Sequence, residues 1–332
     1  MQAFFINRYG KGQGRLGEQP EPVLGEHDVL VAVHAAGVNP LDAKIRNGEF
    51  KLLLPYALPL TLGNELAGVV MQRGARVQGF QIGDAVYARP GAARIGCFAE
   101  RIAVHEADLA LKPKTLSMEE AASIPLVALT AWQALVERAR LQPGQKVLIH
   151  AGSGGVGTIA IQLAKHLGAD VAATTSTANV GLVKQLGADV VIDYKQDDFQ
   201  TQLQGYDVVL NSLDAETLRK SLTVLKPGGQ LISISGPPDA RFAREAGLHW
   251  GLQQVMRLLS HGIRKQAARR GVDYSFLFMQ ASGAQLKEIA ALIDSGVLRP
   301  VLDRVFPLAA TADALAYVES GRVKGKVVVT LQ

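Results

Sequence analysis

A glycine-rich hexapeptide is the feature of this sequence whose residue types and spacing most directly indicate chemistry. Gly152-Ser153-Gly154-Gly155-Val156-Gly157 follows the apolar run Val147-Leu148-Ile149. It fits G-x-G-x-x-G, in which residues without a Cβ let the backbone turn sharply and approach a pyrophosphate. The free N–H groups and positive dipole end of a following helix would hold the same anion. The pattern predicts a dinucleotide-binding loop, the alternative being a tight turn without a ligand.

The end of the next predicted strand indicates which dinucleotide the loop would hold. NAD-specific sites commonly place a carboxylate there, about 20 residues beyond the glycines, to bond the ribose 2′-hydroxyl. Asp170 has that spacing, but it precedes the strand, and the far end, Thr174 to Asn179, contains no acid. Hydroxyls and an amide can accept a 2′-phosphate that a carboxylate would repel. We therefore expect NADPH rather than NADH, with Lys184 either assisting or simply solvated.

Strands and helices alternate around this loop. Leu-Gly-Ala-Asp occurs at Leu167–Asp170 and again at Leu186–Asp189, and in each copy the glycine can take the left-handed conformation that ends a helix before a strand. Two such joints predict an α/β domain with a doubly wound parallel sheet. The strands expected in it are Lys146–Ala151, Asp170–Thr175, Asp189–Asp193, Tyr206–Leu210 and Gln230–Ser235.

The remainder of the chain has a different sequence pattern. Short, partly alternating runs bounded by Gly, Pro or Asp, such as Asp28–His34 and Phe98–Val104, predict a compact β-barrel-like unit in the first 120 residues or so. The tail ends in a predicted strand, Lys326–Leu331, which we expect to return to that unit. The expected domains are therefore 1–123 with 266–332, and an inserted dinucleotide-binding domain, 124–265.

Composition limits the classes of protein to consider. The chain has 332 residues, one cysteine (Cys97) and a formal net charge of +5. We expect a cytoplasmic protein without a membrane partner, because no apolar run approaches about 20 residues and no signal peptide is evident. The basic residues between Arg241 and Arg270 are most simply a solvated helix face or a means of steering an anionic ligand. Nucleic-acid binding is disfavoured because aromatic residues are not interleaved with them.

Five motifs occur in order along the chain: Ala36–Lys44, Gly63–Gly68, Gly83–Val86, the glycine loop and Gly321–Val329. Together they resemble the medium-chain dehydrogenase/reductase superfamily, specifically its zinc-independent quinone oxidoreductase and enone (alkenal) reductase branch, over nearly the whole length. The resemblance implies a GroES-like catalytic domain with an inserted Rossmann domain, an active site in the cleft and a homodimer.

Two asparagines distinguish this chain from metal-dependent relatives, which have cysteine where it has Asn39 and histidine where it has Asn64. Catalytic zinc needs three protein ligands and prefers imidazole or thiolate donors. We therefore expect no metal site. Hydride delivery to an activated C=C or a quinone needs less polarisation than alcohol oxidation, because the cofactor carries the difficult chemistry.

The resemblance also implies roles for individual residues of this sequence. Expected around the nicotinamide end are Asn39, Asp42 and Thr130; at the pyrophosphate, Ser153, Gly154, Gly155 and Val156; at the adenosine end, Ser176, Asn179 and Tyr194; after the fourth strand, Asn211 and Leu213; and against the nicotinamide, Phe276 and Leu277. Lys44 is the catalytic candidate, either as a partner of the substrate oxyanion or as a contact of the nicotinamide ribose. A solvated lysine is the third alternative.

The substrate and even the activity have alternatives. Quinone reductases often have tyrosines at the positions of Lys44 and Phe50, whereas enone reductases more often show the Asn-Pro-x-Asp-x-Lys arrangement found at Asn39–Lys44. We therefore expect a small-molecule enone rather than a quinone. A NADPH-binding structural or RNA-binding protein of the same fold is the non-enzymatic alternative, supported locally by Arg264–Arg270. Glu65 is most simply a hydrogen-bond anchor of the barrel domain.

Overall fold

A computed structural model describes residues 1–51 and 53–331, and the chain divides into two compact units, 1–129 with 280–332 and 130–279. The expected second boundary, between 265 and 266, is therefore misplaced. The strand Asp273–Phe276 pairs in parallel with Leu225–Ser233 in the sheet of the second unit. Because backbone hydrogen bonds tie this edge strand to that sheet, the chain leaves the second unit after the strand and not before it.

The first unit is built on two sheets. Its strands are β1 Gln2–Ile6, β2 Arg15–Glu18, β3 Asp28–Val38, β4 Leu60–Thr61, β5 Leu66–Arg73, β6 Ala85–Ala88, β7 Arg101–His105, β8 Leu109–Leu111, β15 Leu302–Pro307 and β16 Lys326–Thr330. The larger sheet has the order β15-β16-β3-β5-β6-β8, with β7 also pairing with β3, and the smaller is β2-β1-β4. Strand β16 pairs antiparallel with β3, so the closing strand returns to the first unit as expected.

Short helices complete the first unit: α1 Pro40–Asn47, α2 Met118–Ala122, α11 Gly283–Asp294 and α12 Thr311–Glu319, while α3 Pro125–Trp132 crosses the boundary between the units. The start of α1 is fixed by local chemistry. Pro40 occupies the first helical position, where its missing N–H costs nothing, and the Asp42 carboxylate accepts a hydrogen bond from Asn39 N at 2.7 Å. The helix ends at Gly48, whose φ of 86° favours glycine.

The second unit confirms the predicted doubly wound parallel sheet. Its strands are β9 Lys146–Ile149, β10 Asp170–Thr175, β11 Val190–Asp193, β12 Tyr206–Asn211, β13 Leu225–Ser233 and β14 Asp273–Phe276, in the order β11-β10-β9-β12-β13-β14. The chain order reverses on either side of β9. Such a switch point opens a crevice at the carboxyl ends of the strands, and the glycine loop begins there.

Helices cover this sheet: α4 Gly155–His166, α5 Val180–Gln185, α6 Phe199–Gln202, α7 Ala215–Ser221, α8 Ala240–Glu245, α9 Trp250–Leu259 and α10 His261–Arg269. Gly168 and Gly187 both have positive φ, 80° and 105°, which confirms the two predicted helix-to-strand joints. Within 1–51 and 53–331, no helix is long and apolar enough to cross a membrane.

Candidate functional site

The glycine loop is held against the second unit by close backbone packing. Gly152 N donates to Thr174 O at 2.8 Å, which ties the loop to β10. A Cβ on Gly157 would lie 2.3 Å from Ala151 O, so any larger residue would push α4 away from the loop. No side chain caps the start of α4, whose N-cap is Gly154. The first N–H groups of that helix are therefore available to an anion.

A polar cluster lies beside this loop at the end of β10. Thr175 Oγ1 donates to Ser153 Oγ at 3.0 Å, and Asn179 Nδ2 lies 3.1 Å from Ser153 Oγ and 3.2 Å from Ser176 Oγ. The buried Asn179 Oδ1 has no hydrogen-bond partner among the described residues. A buried acceptor without a partner is costly in a folded protein, and a donor such as a ribose hydroxyl would satisfy it.

An acid lies near this cluster, although on the neighbouring strand. Asp193 ends β11 and is the register partner of Thr175. Its two oxygens accept hydrogen bonds from Lys195 N at 3.1 Å and Gln196 Nε2 at 3.0 Å. A hydrogen bond from Thr177, just after β10, is the main reason that the pKa of this carboxyl is lowered, so the carboxylate is engaged by both segments. The end of β10 itself carries hydroxyls and an amide.

His150 lies just before the glycine loop, and both of its ring nitrogens contact hydroxyl groups. Its Nδ1 lies 3.1 Å from Thr174 Oγ1 and its Nε2 lies 2.9 Å from Ser221 Oγ. Burial lowers the pKa of His150 to about 4, so the ring is neutral at physiological pH. The sequence analysis did not single out this role, because both hydroxyl partners come from distant parts of the chain.

Most of the predicted cofactor residues of the second unit lie at one edge of its sheet. Asn211 ends β12, and its Nδ2 lies 3.3 Å from both Leu213 O and Ser235 Oγ, while its buried Oδ1 has no partner among the described residues. The carboxyl ends of parallel strands meet at one edge. The following residues therefore lie at or just after the carboxyl ends of the strands, spread from β11 at one side of the sheet to β14 at the other: Ser153, Gly154, Gly155, Val156, Ser176, Asn179, Tyr194, Asn211, Leu213, Phe276 and Leu277. Thr130 is buried on α3 instead.

A buried polar network occupies the start of α1 in the first unit. Lys326 Nζ donates to Glu65 Oε1 at 2.6 Å and to Asn39 Oδ1 at 2.5 Å. Asn39 Nδ2 donates to the same Glu65 oxygen at 2.7 Å, and Leu126 N donates to Glu65 Oε2 at 2.7 Å. Glu65 is thus a hydrogen-bond anchor, as expected. Lys326 was present in the closing motif, but its partnership with Asn39 was not anticipated.

Asp42 continues this network and is fully buried. Asn64 Nδ2 donates to its Oδ1 at 2.7 Å, and Asn39 N donates to its Oδ2 at 2.7 Å. Burial outweighs these bonds and raises the pKa of Asp42 to about 6. The structure thus brings the predicted residues Asn39 and Asp42 together. Lys44 is exposed on α1, and its side chain forms no ion pair with the described residues, so it is not part of this buried network.

Comparisons with known proteins cover both units. Family models described as alcohol dehydrogenase GroES-like domain and zinc-binding dehydrogenase match residues 25–114 and 186–329. NAD(P)H oxidoreductase RTN4IP1, mitochondrial, of Danio rerio is 36% identical over 355 residues, covering 100% of this chain and 91% of that protein. NADPH-dependent alkenal/one oxidoreductase, chloroplastic, of Arabidopsis thaliana is 36% identical over 321 residues, covering 93% of this chain and 73% of that protein.

A solved structure agrees with these relatives. The quinone oxidoreductase from Coxiella burnetii superposes with a TM-score of 0.88 at 30% identity, covering 100% of this chain and 99% of that one. This chain belongs to the medium-chain dehydrogenase/reductase superfamily, in its quinone oxidoreductase and enone reductase branch. The predicted family and fold, a GroES-like domain with a Rossmann sheet, are thereby confirmed.

A medium-chain reductase of this branch uses a nicotinamide dinucleotide, and the second unit fits one. The absence of a Cβ on Gly157 lets α4 begin directly against the loop backbone, and the uncapped start of α4 suits the pyrophosphate. The buried oxygens of Asn179 and Asn211 lack partners among the described residues, as expected of acceptors reserved for a ligand. Ser153 would lie at the pyrophosphate of such a dinucleotide, and Asn179, which contacts it, would lie on the adenosine side.

Zinc, named in the description of one matching family model, does not fit this medium-chain reductase. Both amide groups of Asn39 and Asn64 contribute to the buried network, and amides are poor zinc donors. The Lys326 ammonium, 2.5 Å from Asn39 Oδ1, would repel a second cation there. Within the described part of the chain, no group of three or more His, Cys, Asp or Glu residues could hold a metal ion.

Proposed function

We propose that this reductase takes its reducing equivalents from NADPH in preference to NADH. The observation that carries the proposal is the hydroxyl and amide cluster of Ser153, Thr175, Ser176 and Asn179 at the end of β10. These groups can bond a 2′-phosphate, whereas the nearby Asp193 carboxylate is engaged by Lys195 and Gln196. The similar Arabidopsis protein is named as NADPH-dependent, which supports the same choice.

A charge placed in this cluster tests the cofactor proposal. Ser176→Asp adds a carboxylate facing the 2′-phosphate, and at an effective dielectric constant of about 20 the repulsion is of order a few kcal/mol before screening. We expect the variant to favour NADH, while Ser176→Ala, which adds no charge, retains the preference for NADPH. The dissociation constants of both nucleotides are measured by titration. Tighter binding of NADH than NADPH by the unmodified protein would contradict the proposal.

We infer that the substrate is an α,β-unsaturated carbonyl compound. Bound NADPH would transfer a hydride to the β-carbon and become NADP⁺, and negative charge would accumulate on the carbonyl oxygen. A proton from water would then complete the α-carbon and give the saturated carbonyl compound. A catalytic group accelerates the reaction only if its interaction strengthens as this charge develops. Lys44 is an exposed cation without an ion pair among the described residues, and we assign it to the oxyanion.

The buried network would act on this reaction by fixing α1. Asn39 and Asp42 bond each other at the first turn of the helix that carries Lys44, and Glu65 and Lys326 bond the Asn39 side chain. A catalytic side chain is effective only when its supporting groups are held rigidly. Asn39 and Asp42 are therefore assigned as positioning residues, and Lys44 as the group that contacts the substrate.

A panel of matched substrates tests the activity. Initial rates of NADPH oxidation are compared for enones, saturated ketones and quinones of similar size. We expect the highest kcat/KM for enones and no turnover of the saturated ketones, because these lack the activated double bond. A preference for quinones would contradict the substrate class alone. Tight NADPH binding without turnover of any substrate would instead favour a non-enzymatic binding protein.

A further inference from the structure

The whole excess of positive charge in this chain lies in one segment. Ala246–Val272 contains Arg257, Arg264, Lys265, Arg269 and Arg270 and no Asp or Glu. The chain has 35 Lys and Arg residues against 30 Asp and Glu, so the remaining sequence is formally neutral. These cations are all exposed, and none of them forms an ion pair within the described part of the chain. The segment is therefore an uncompensated basic surface.

The same segment exposes an apolar stripe. On α9, Trp250 and Leu258 are 70% and 76% exposed, and Val255 and Leu259 are 49% and 58% exposed. Spacings of eight and four residues place each pair on one side of a helix. The opposite side carries Met256, which is buried. Four large apolar side chains in contact with water on one helix are unusual for a protein surface and indicate a binding partner.

Helix α10 adds the charge next to this stripe. It follows α9 after the single residue Ser260, and its buried side carries Ile263 and Ala267. Lys265 and Arg269 are four residues apart on the opposite, solvent-facing side. The two consecutive helices thus present apolar and cationic side chains to solvent together.

We propose that α9 and α10 dock this reductase on the surface of an anionic lipid bilayer, which revises the expectation of no membrane partner without requiring a membrane-spanning helix. Helices of this kind lie in the plane of the interface, with aromatic and aliphatic side chains in the acyl boundary and cations at the anionic headgroups. A second copy of the chain is a poorer partner, since a symmetric contact would bring like charges together. Nucleic acid would neutralise the cations but leave the aliphatic stripe in water.

Vesicle sedimentation with the whole 332-residue chain tests this proposal. One set of vesicles is phosphatidylcholine alone, and the other contains equal parts of phosphatidylcholine and phosphatidylglycerol. We expect sedimentation with the anionic vesicles, little with the neutral ones, and weaker binding as salt is raised. Equal binding to both vesicle types, or binding to neither, would overturn the proposal.

Paired variants separate the apolar and the cationic contributions to vesicle binding. Trp250→Ser/Leu258→Ser should weaken binding to anionic vesicles by about tenfold or more for each side chain, and Arg264→Gln/Lys265→Gln by about fivefold for each cation. The matched apolar control is Val23→Ser/Ile82→Ser, because these side chains are 88% and 68% exposed in the other unit. The control variant should bind as the unmodified protein does. Thermal unfolding midpoints verify that each variant is folded.

Two further measurements distinguish the other partners. Single-stranded RNA is added as a competitor, and light scattering reports the molecular mass. RNA binding that exceeds binding to anionic vesicles would overturn the bilayer proposal in favour of nucleic acid. Loss of a dimer in Trp250→Ser/Leu258→Ser would overturn it in favour of a second copy. An unchanged mass together with reduced vesicle binding supports it.

Discussion

The ammonium of Lys326 lies 2.6 Å from Glu65 Oε1, and both side chains are buried. These residues are separated by 261 positions in the sequence, yet they meet beside Asn39, the N-cap residue of α1. In metal-dependent relatives a cysteine stands at the position of Asn39. Here the fixed positive charge in this part of the first unit belongs to a lysine, and it secures the helix that carries Lys44.

Loss of Lys326 should therefore destabilise the protein strongly. Lys326→Met leaves the Glu65 carboxylate buried without its cation, which costs about 3–5 kcal/mol of unfolding free energy. Lys324→Met removes an exposed lysine two residues away and should change stability by less than about 0.5 kcal/mol. Urea unfolding of both variants gives the comparison. Similar stabilities would show that the ion pair contributes little, whereas partial recovery in Lys326→Met/Glu65→Gln would confirm an uncompensated charge.

Asp42 should make stability depend on pH. Its pKa is raised to about 6 by burial, whereas an unfolded aspartate titrates near 4. The favourable contribution of the neutral carboxyl is fully present below about pH 4 and is lost as pH rises through about 6. Two pKa units correspond to about 3 kcal/mol.

Asp42→Asn removes this dependence while retaining the shape of the side chain. The N–H group of the introduced amide can donate to Asn64 Oδ1 once the side-chain amide of Asn64 has flipped, because that oxygen has no partner among the described residues. The unfolding free energy of the variant minus that of the unmodified protein should increase between about pH 4 and 6 and then level off. A difference independent of pH would contradict the assigned pKa. The titration of His150 contributes equally to the unfolding free energies of both proteins, so it cancels in their difference.

Gly157 should tolerate no side chain. Gly157→Ala places a Cβ 2.3 Å from Ala151 O, which forces α4 and the glycine loop apart. We expect lower stability and at least about tenfold weaker NADPH binding, because the pyrophosphate contacts depend on that geometry. Gly181→Ala is the control, since its Cβ would meet nothing within 4 Å. Equal NADPH affinities in the two variants would remove the glycine loop from the cofactor site.

Lys44 should affect catalysis more than binding. Lys44→Met is expected to lower kcat for an enone by about 10–1000-fold, a range whose upper part matches the loss of about 100–1000-fold that follows removal of an oxyanion donor. The dissociation constant of NADPH should change much less, whereas a comparable change would place Lys44 on the nicotinamide ribose. Lys11→Met, at another exposed position of the same unit, serves as the control. Unchanged enone turnover would make Lys44 a solvated lysine.

Local signals in the sequence predicted much of this molecule. Gly168 and Gly187 marked two helix ends because positive φ favours glycine, and the glycine loop lies between a strand and a helix as the pattern requires. Asn39 and Asp42 were found through one motif, and they do bond each other. These features succeed because their partners are only a few residues away.

Features that depend on distant partners were missed or misplaced. Strand β14 is four residues long, and only its pairing with β13 assigns it to the second unit. Lys326 joins Asn39 across most of the chain, and His150 meets Ser221 across 71 residues. Hydrophobic periodicity carries no information on which buried polar groups will meet, so these contacts required the three-dimensional structure.

Transfer of a labelled hydride tests the central claim most directly. The protein is incubated with NADPH carrying deuterium at the transferable C4 position and with an acyclic enone, and the product is analysed by NMR. We predict a saturated ketone with deuterium at its β-carbon and none at its α-carbon, together with much slower conversion from labelled NADH. A product without deuterium, deuterium on the carbinol carbon of an allylic alcohol, or faster conversion with NADH would contradict the account.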